Sequence, residues 1–108
     1  MDKHAIIIAD TSGVIQLWNA GAATLFGYPV KDAVGKKLDL VVPETLRSAH
    51  WTGFGHAMST GSANGEGTFF DAPVLCSSGE TKTFRGQLHV LRNEEKKAIG
   101  AMAIFISA

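Results

Sequence analysis

The chain has 108 residues and a single cysteine, Cys76, which excludes an internal disulfide and any cysteine-based metal cluster. It has no excess of either charge: ten lysines and arginines balance ten aspartates and glutamates. Without a basic stripe or an acidic tail, nothing in the composition points to nucleic acid or an anionic membrane as a partner. The one charge-dense run, Asn93-Glu-Glu-Lys-Lys97, mixes both signs and suits a solvated turn. No cationic-then-apolar signal segment opens the sequence. The longest apolar stretch, Ala98 to Ala108, is too short to span a bilayer. Internal repeats, low-complexity linkers, a glycine-rich phosphate loop and a Ser-His-Asp arrangement are also missing, and His4 and His89 have no partners at zinc-ligand spacing. An enzyme is therefore not expected. The length supports one modest core. The expectation is one soluble, cytoplasmic domain over residues 1–108.

What is present is an ordered set of short elements. Ala5-Ile-Ile-Ile-Ala9 and Val14-Ile-Gln-Leu-Trp18 are β-prone runs separated by the turn residues Asp10-Thr-Ser-Gly13, the pattern of a hairpin. Asn19 caps a helix over Ala20 to Phe26 that stops at Gly27. Residues 28–42 read as a small helix around Lys31–Val34 and a loop. A longer helix runs from about Glu44 to Ser59 and is closed by Gly61, although Gly53 and Gly55 weaken its interior. Thr68–Leu75, Thr81–Leu91 and Ile99–Ile106 read as three strands, and Pro73 assigns the first of them to a sheet edge. The fold class is α+β: a five-stranded antiparallel sheet with helices packed on one face, able to enclose a small pocket.

Proline at the start and Glu44 in the first turn mark the opening of the long helix. Leu46, His50, Phe54 and Met58 then recur every four residues, which makes one apolar stripe with an imidazole in its middle. An imidazole facing a core must be hydrogen-bonded or must bind something.

Gly13-Val-Ile-Gln-Leu-Trp-Asn-Ala-Gly-Ala-Ala-Thr-Leu-Phe-Gly-Tyr28 resembles the opening of a PAS domain. Val34-Gly35-Lys-Lys-Leu38, Val42-Pro43 and the turn Ser77-Ser-Gly-Glu-Thr-Lys-Thr-Phe84 continue that pattern over nearly the whole chain. Val42-Pro-Glu-Thr-Leu-Arg-Ser-Ala-His50 is similar to the haem-binding PAS sensors, of the FixL-like and direct oxygen sensor kinds, in which a Pro-x-x-x-Arg-x-x-His run ends in the proximal iron ligand. The resemblance implies haem b held by His50, with Leu46 and Phe54 on the same stripe. His56 follows six residues later, a turn of about 600°, so it lies roughly 120° around the helix from His50, on the rim. There it corresponds to the family's polar group at the haem edge, and Arg85 on the fourth strand is the second candidate for a propionate. The arginine that binds dioxygen in the oxygen sensors corresponds here to Phe70, and a possible methionine-ligand position to Thr68. That departure disfavours stable oxygen binding.

The resemblance therefore implies a homodimeric sensor of a diatomic gas or of redox state, which passes its signal to an output domain or a partner protein. Two alternatives stand beside it: a cofactor-free module for dimerisation or partner docking, and a pocket for a small organic ligand. Cys76 lacks the Asn-Cys-Arg-Phe-Leu-Gln run of the flavin-binding LOV domains and follows a strand, so flavin photochemistry is not expected.

Overall fold

Apolar residues fill positions 5–9, and alternate ones are buried, so this run pairs as a strand. The computed structural model, which describes residues 4–106, begins with this strand, β1 (His4–Ala9). The Asp10 carboxylate accepts from the backbone N–H groups of Ser12 and Val14 at 2.9 and 3.0 Å, and this side-chain turn returns the chain into β2 (Ile15–Trp18). Asn19 caps α1 (Ala20–Phe26), which ends at left-handed Gly27. The single turn α2 (Val30–Ala33) and two 3₁₀ turns, Leu38–Leu40 and Glu44–Leu46, lead into α3 (Arg47–Thr60). Then follow β3 (Phe70–Leu75), β4 (Thr81–Arg92) and β5 (Ala98–Ile106).

The strands form one antiparallel sheet in the order β2-β1-β5-β4-β3. β3 is an edge strand, where Pro73 breaks no ladder on its free side. One face carries the buried residues Ala5, Ile7, Ile15, Trp18, Val74 and Phe105. Phe26 of α1 packs there, with ring centroids 5.9, 5.1 and 5.3 Å from Trp18, Phe84 and Phe105. The Trp18 indole N–H donates to the Tyr28 carbonyl at 2.9 Å, so the polar edge of this aromatic cluster is satisfied. The architecture is the α+β sheet-and-helix arrangement expected from the sequence.

Two boundaries differ from expectation by more than one residue. The long helix does not start at Glu44: residues 44–46 form a 3₁₀ turn, and α3 begins at Arg47. The Arg47 guanidinium donates to the carbonyls of Val42 and Asp39 at 3.1 and 3.2 Å, which tightens the entry. Thr68 is not in a strand. Gly65 and Gly67 have left-handed φ, and the Thr68 hydroxyl donates back to the Gly65 carbonyl at 2.6 Å, so a turn occupies the expected strand start.

The core is concentrated under α1. By contrast, α3 fully buries only Ala57. That loose seating leaves space between α3 and the sheet.

Candidate functional site

α3 is held at both ends and stands off the sheet in between. At its start, Arg47 and Trp51 bind the 39–42 segment; the Trp51 indole N–H donates to Asp39 Oδ1 at 2.6 Å. Past its end, Arg92 of β4 donates from Nε to the Gly61 carbonyl at 2.6 Å and forms an ion pair with Glu66. Glu66 also accepts the Val90 N–H at 2.9 Å. The Arg92 hydrogen bond and the Val90 N–H hold the Glu66 carboxyl below its ordinary pKa, so it stays charged and the loop stays fastened.

Between these anchors lies a cavity of about 600 Å³, with His50, Phe54 and Met58 from α3 facing Leu88 and Val90 from β4 and Ala101 from β5. A second cavity of about 300 Å³ adjoins it, shares Ala63, Asn64 and Leu88 with it, and carries Thr68 and Phe70. Both volumes fall in the range of small-ligand sites.

The imidazole of His50 is the distinctive polar group on this wall. Its Nδ1 is buried and has no hydrogen-bond partner. The ring stacks on Phe54, with centroids 5.9 Å apart and planes 29° apart, and meets Trp51 edge-on at 4.8 Å. Burial pushes its pKa down, and the Asp39 charge opposes this only in part. The neutral form is thereby favoured, and neutral imidazole is the form that ligates metals.

The structure gathers some of the residues expected at the site and excludes others. His50, Phe54 and His56 line the larger cavity, and Thr68 and Phe70 the adjoining one. Leu46 lies in the 3₁₀ turn, is 41% exposed and lines neither cavity, so the apolar stripe begins at His50. Arg85 does not reach either cavity. It pairs with Asp71 and Ile106, whereas its neighbour Gly86 faces inward beside Phe105; strand alternation therefore puts Arg85 on the outer face, where it stacks over the Phe69 ring at 5.0 Å. Leu88, His89, Val90, Ala101 and Asn64 also line the walls and were not foreseen. For Leu88 and Val90 a signal existed: inward alternation along Phe84, Gly86, Leu88 and Val90.

This donor set fits a haem. It offers an imidazole with no protein partner, its neutral form favoured by burial, on a largely apolar wall, and among the described residues no three His, Cys, Asp or Glu side chains gather to hold a metal by themselves.

The sequence profile of the PAS fold matches residues 3–107. The chain belongs to the PAS family. A PAS domain from Colwellia psychrerythraea superposes on this one with a TM-score of 0.82 at 20% identity, covering 99% of this chain and 87% of that one. The PAS domain of the quorum-sensing receptor RpfR from Cronobacter turicensis, solved with C12:0, gives 0.75 at 16% identity and covers 99% and 95% of the two chains. At those identities the likeness is one of fold. The sensor protein FixL of Bradyrhizobium diazoefficiens is 39% identical over 46 residues, which is 43% of this PAS domain and 9% of FixL. In this PAS domain no helix among the described residues is long and apolar enough to cross a membrane.

Proposed function

We propose that this PAS sensory domain holds haem b through His50 and reports a diatomic gas or a redox state. The observation that carries the reading is the His50 imidazole, on the wall of a cavity of about 600 Å³ and with no protein hydrogen bond to its buried Nδ1. The short FixL match adds support from sequence.

Bound haem would supply an iron centre able to bind a diatomic gas or change redox state. The protein's own part is to hold and screen it. His50 would ligate the iron, its ring packed against Trp51 and Phe54, and Leu88, Val90 and Ala101 provide an apolar wall. His56 on the same cavity is the candidate propionate partner. Phe70 and Thr68 stand where the oxygen sensors carry their arginine and a possible methionine ligand, so the gas-facing side lacks a strong cationic donor. In this reading the domain works in the cytoplasm as a homodimer, catalyses nothing itself, and signals to an output domain or a partner protein.

Adding hemin to the purified protein tests the reading. One equivalent should give a histidine-ligated Soret spectrum, and His50→Ala should abolish it. An unchanged spectrum in the variant would move the ligand elsewhere, and no uptake by the native protein would refute haem binding. The apolar walls favour a second reading, a small organic ligand of acyl type, since the RpfR domain was solved with C12:0. In that case a fatty acid, and not hemin, should raise the melting temperature. Protection by neither would leave the docking module.

A further inference from the structure

His50 is followed by a residue whose surroundings are built with unusual care. Trp51 extends from α3 toward the β1–β2 hairpin and lies against Gly13, where a Cβ would collide with the indole ring. Gly13 has a left-handed φ of 79°, so both the space and the backbone there require glycine. The indole N–H donates to Asp39 Oδ1 at 2.6 Å, and Lys37 Nζ sits 5.7 Å from the ring. The backbone carbonyl of the same Asp39 accepts from Arg47 at 3.2 Å, one turn before His50. The Trp51 ring meets the imidazole edge-to-face, with ring centroids 4.8 Å apart. Because His50 Nδ1 has no hydrogen bond of its own, the ring's orientation depends on packing against Trp51 and Phe54.

We infer that Trp51, fastened by Asp39 and seated on Gly13, is the positioning residue for His50. Metal-bound histidines are commonly oriented by a carboxylate or carbonyl hydrogen-bonded to the ring itself. Here the carboxylate acts one residue away, through an indole. Asp39 also contributes a negative charge near His50. The orientation is a property of the ligand-free protein, while its effect on iron rests on the haem reading.

The test uses NMR of the ligand-free protein in alkaline buffer, where the imidazole is neutral. Asp39→Ala should shift the His50 ring-proton resonances, because the unfastened indole no longer fixes the ring. Asp39→Asn retains an oxygen that accepts the indole N–H, so it should keep them near their native positions. If Asp39→Ala does not fold, Asp39→Leu removes the same acceptor while leaving the indole in place and serves instead. With hemin added, the unfastened variant should retain it roughly ten- to a hundredfold less well, the usual effect of losing a ligand's outer support. Native His50 resonances in Asp39→Ala would overturn the inference, as would equal shifts in the alanine and asparagine variants. If the native protein takes up no hemin, the haem reading fails while the imidazole resonances still decide the role of Trp51.

Discussion

Replacing Asn19 by alanine should damage the fold more than the loss of a helix cap alone. Its Oδ1 accepts from Ala22 N–H at 2.9 Å, capping α1, and from Ile6 N–H at 2.8 Å on β1. Its Nδ2 donates to the His4 carbonyl at 2.9 Å. The side chain thus continues the β1–β2 ladder past the end of β2 while starting the helix. Losing the cap costs about 1 kcal/mol. Stranding the part-buried Ile6 N–H adds about 1–2 kcal/mol, for a total of about 2–3 kcal/mol. In a domain of this size that lowers the melting temperature by roughly 10–20 °C. Asn19→Ser separates the two contributions, because a hydroxyl caps the helix but is too short to bridge to β1. Urea and thermal melts should put serine between alanine and the native residue. An alanine variant within about 0.5 kcal/mol of native would refute the dual role, and so would serine melting no higher than alanine.

Three further outcomes follow from the site. Burial lowers the His50 pKa below its ordinary 6.5, so the unfolded chain takes up the proton first on acidification. The stability contributed by neutral His50 is therefore complete above about pH 6.5 and is lost as pH falls toward the folded pKa; melts across that window should show the loss, and His50→Gln should flatten it. His56→Ala should speed hemin loss while Arg85→Ala leaves it unchanged; equal effects would contradict the assignment of Arg85 to the outer face. With Phe70 in the adjoining cavity, the ferrous haem protein should bind carbon monoxide readily and oxidise quickly in air, and a long-lived oxygen complex would show that another donor serves that side.

How much of this could be read from the sequence depends on whether a local rule governed the residue. Asn19, Gly27 and Gly61 delimit helices through their own backbone and side-chain chemistry, and each cap is where the sequence indicates. Pro73 marks an edge strand because it lacks an N–H, whatever its neighbours are. Leu46 was misread because four-residue spacing says nothing about a 3₁₀ entry turn. Arg85 was misassigned because strand alternation gives two faces, and only the register with Asp71 and Ile106 decides which one looks inward. The seating of Trp51 on Gly13 left no periodic trace, since the two residues lie far apart in sequence and meet only when the fold brings the side chain of Trp51 to the β1–β2 turn.

The strand order has a consequence for synthesis of the chain. β5, the last strand of this domain in chain order, is the middle strand of the sheet and the bridge between β1–β2 and β3–β4. Until residues 98–106 emerge from the ribosome, β1 has a partner on one side only, and the two hairpins have no shared ladder. Folding to the native sheet therefore waits until residues 98–106 have been made, because pairing β1 with β5 closes a long loop, from His4 to Ile106. During that wait the apolar edges of β1 and β4 are open to other nascent chains. A chain stopped before Ala98 would carry every residue assigned to the cavity except Ala101 and still have no sheet on which to build it.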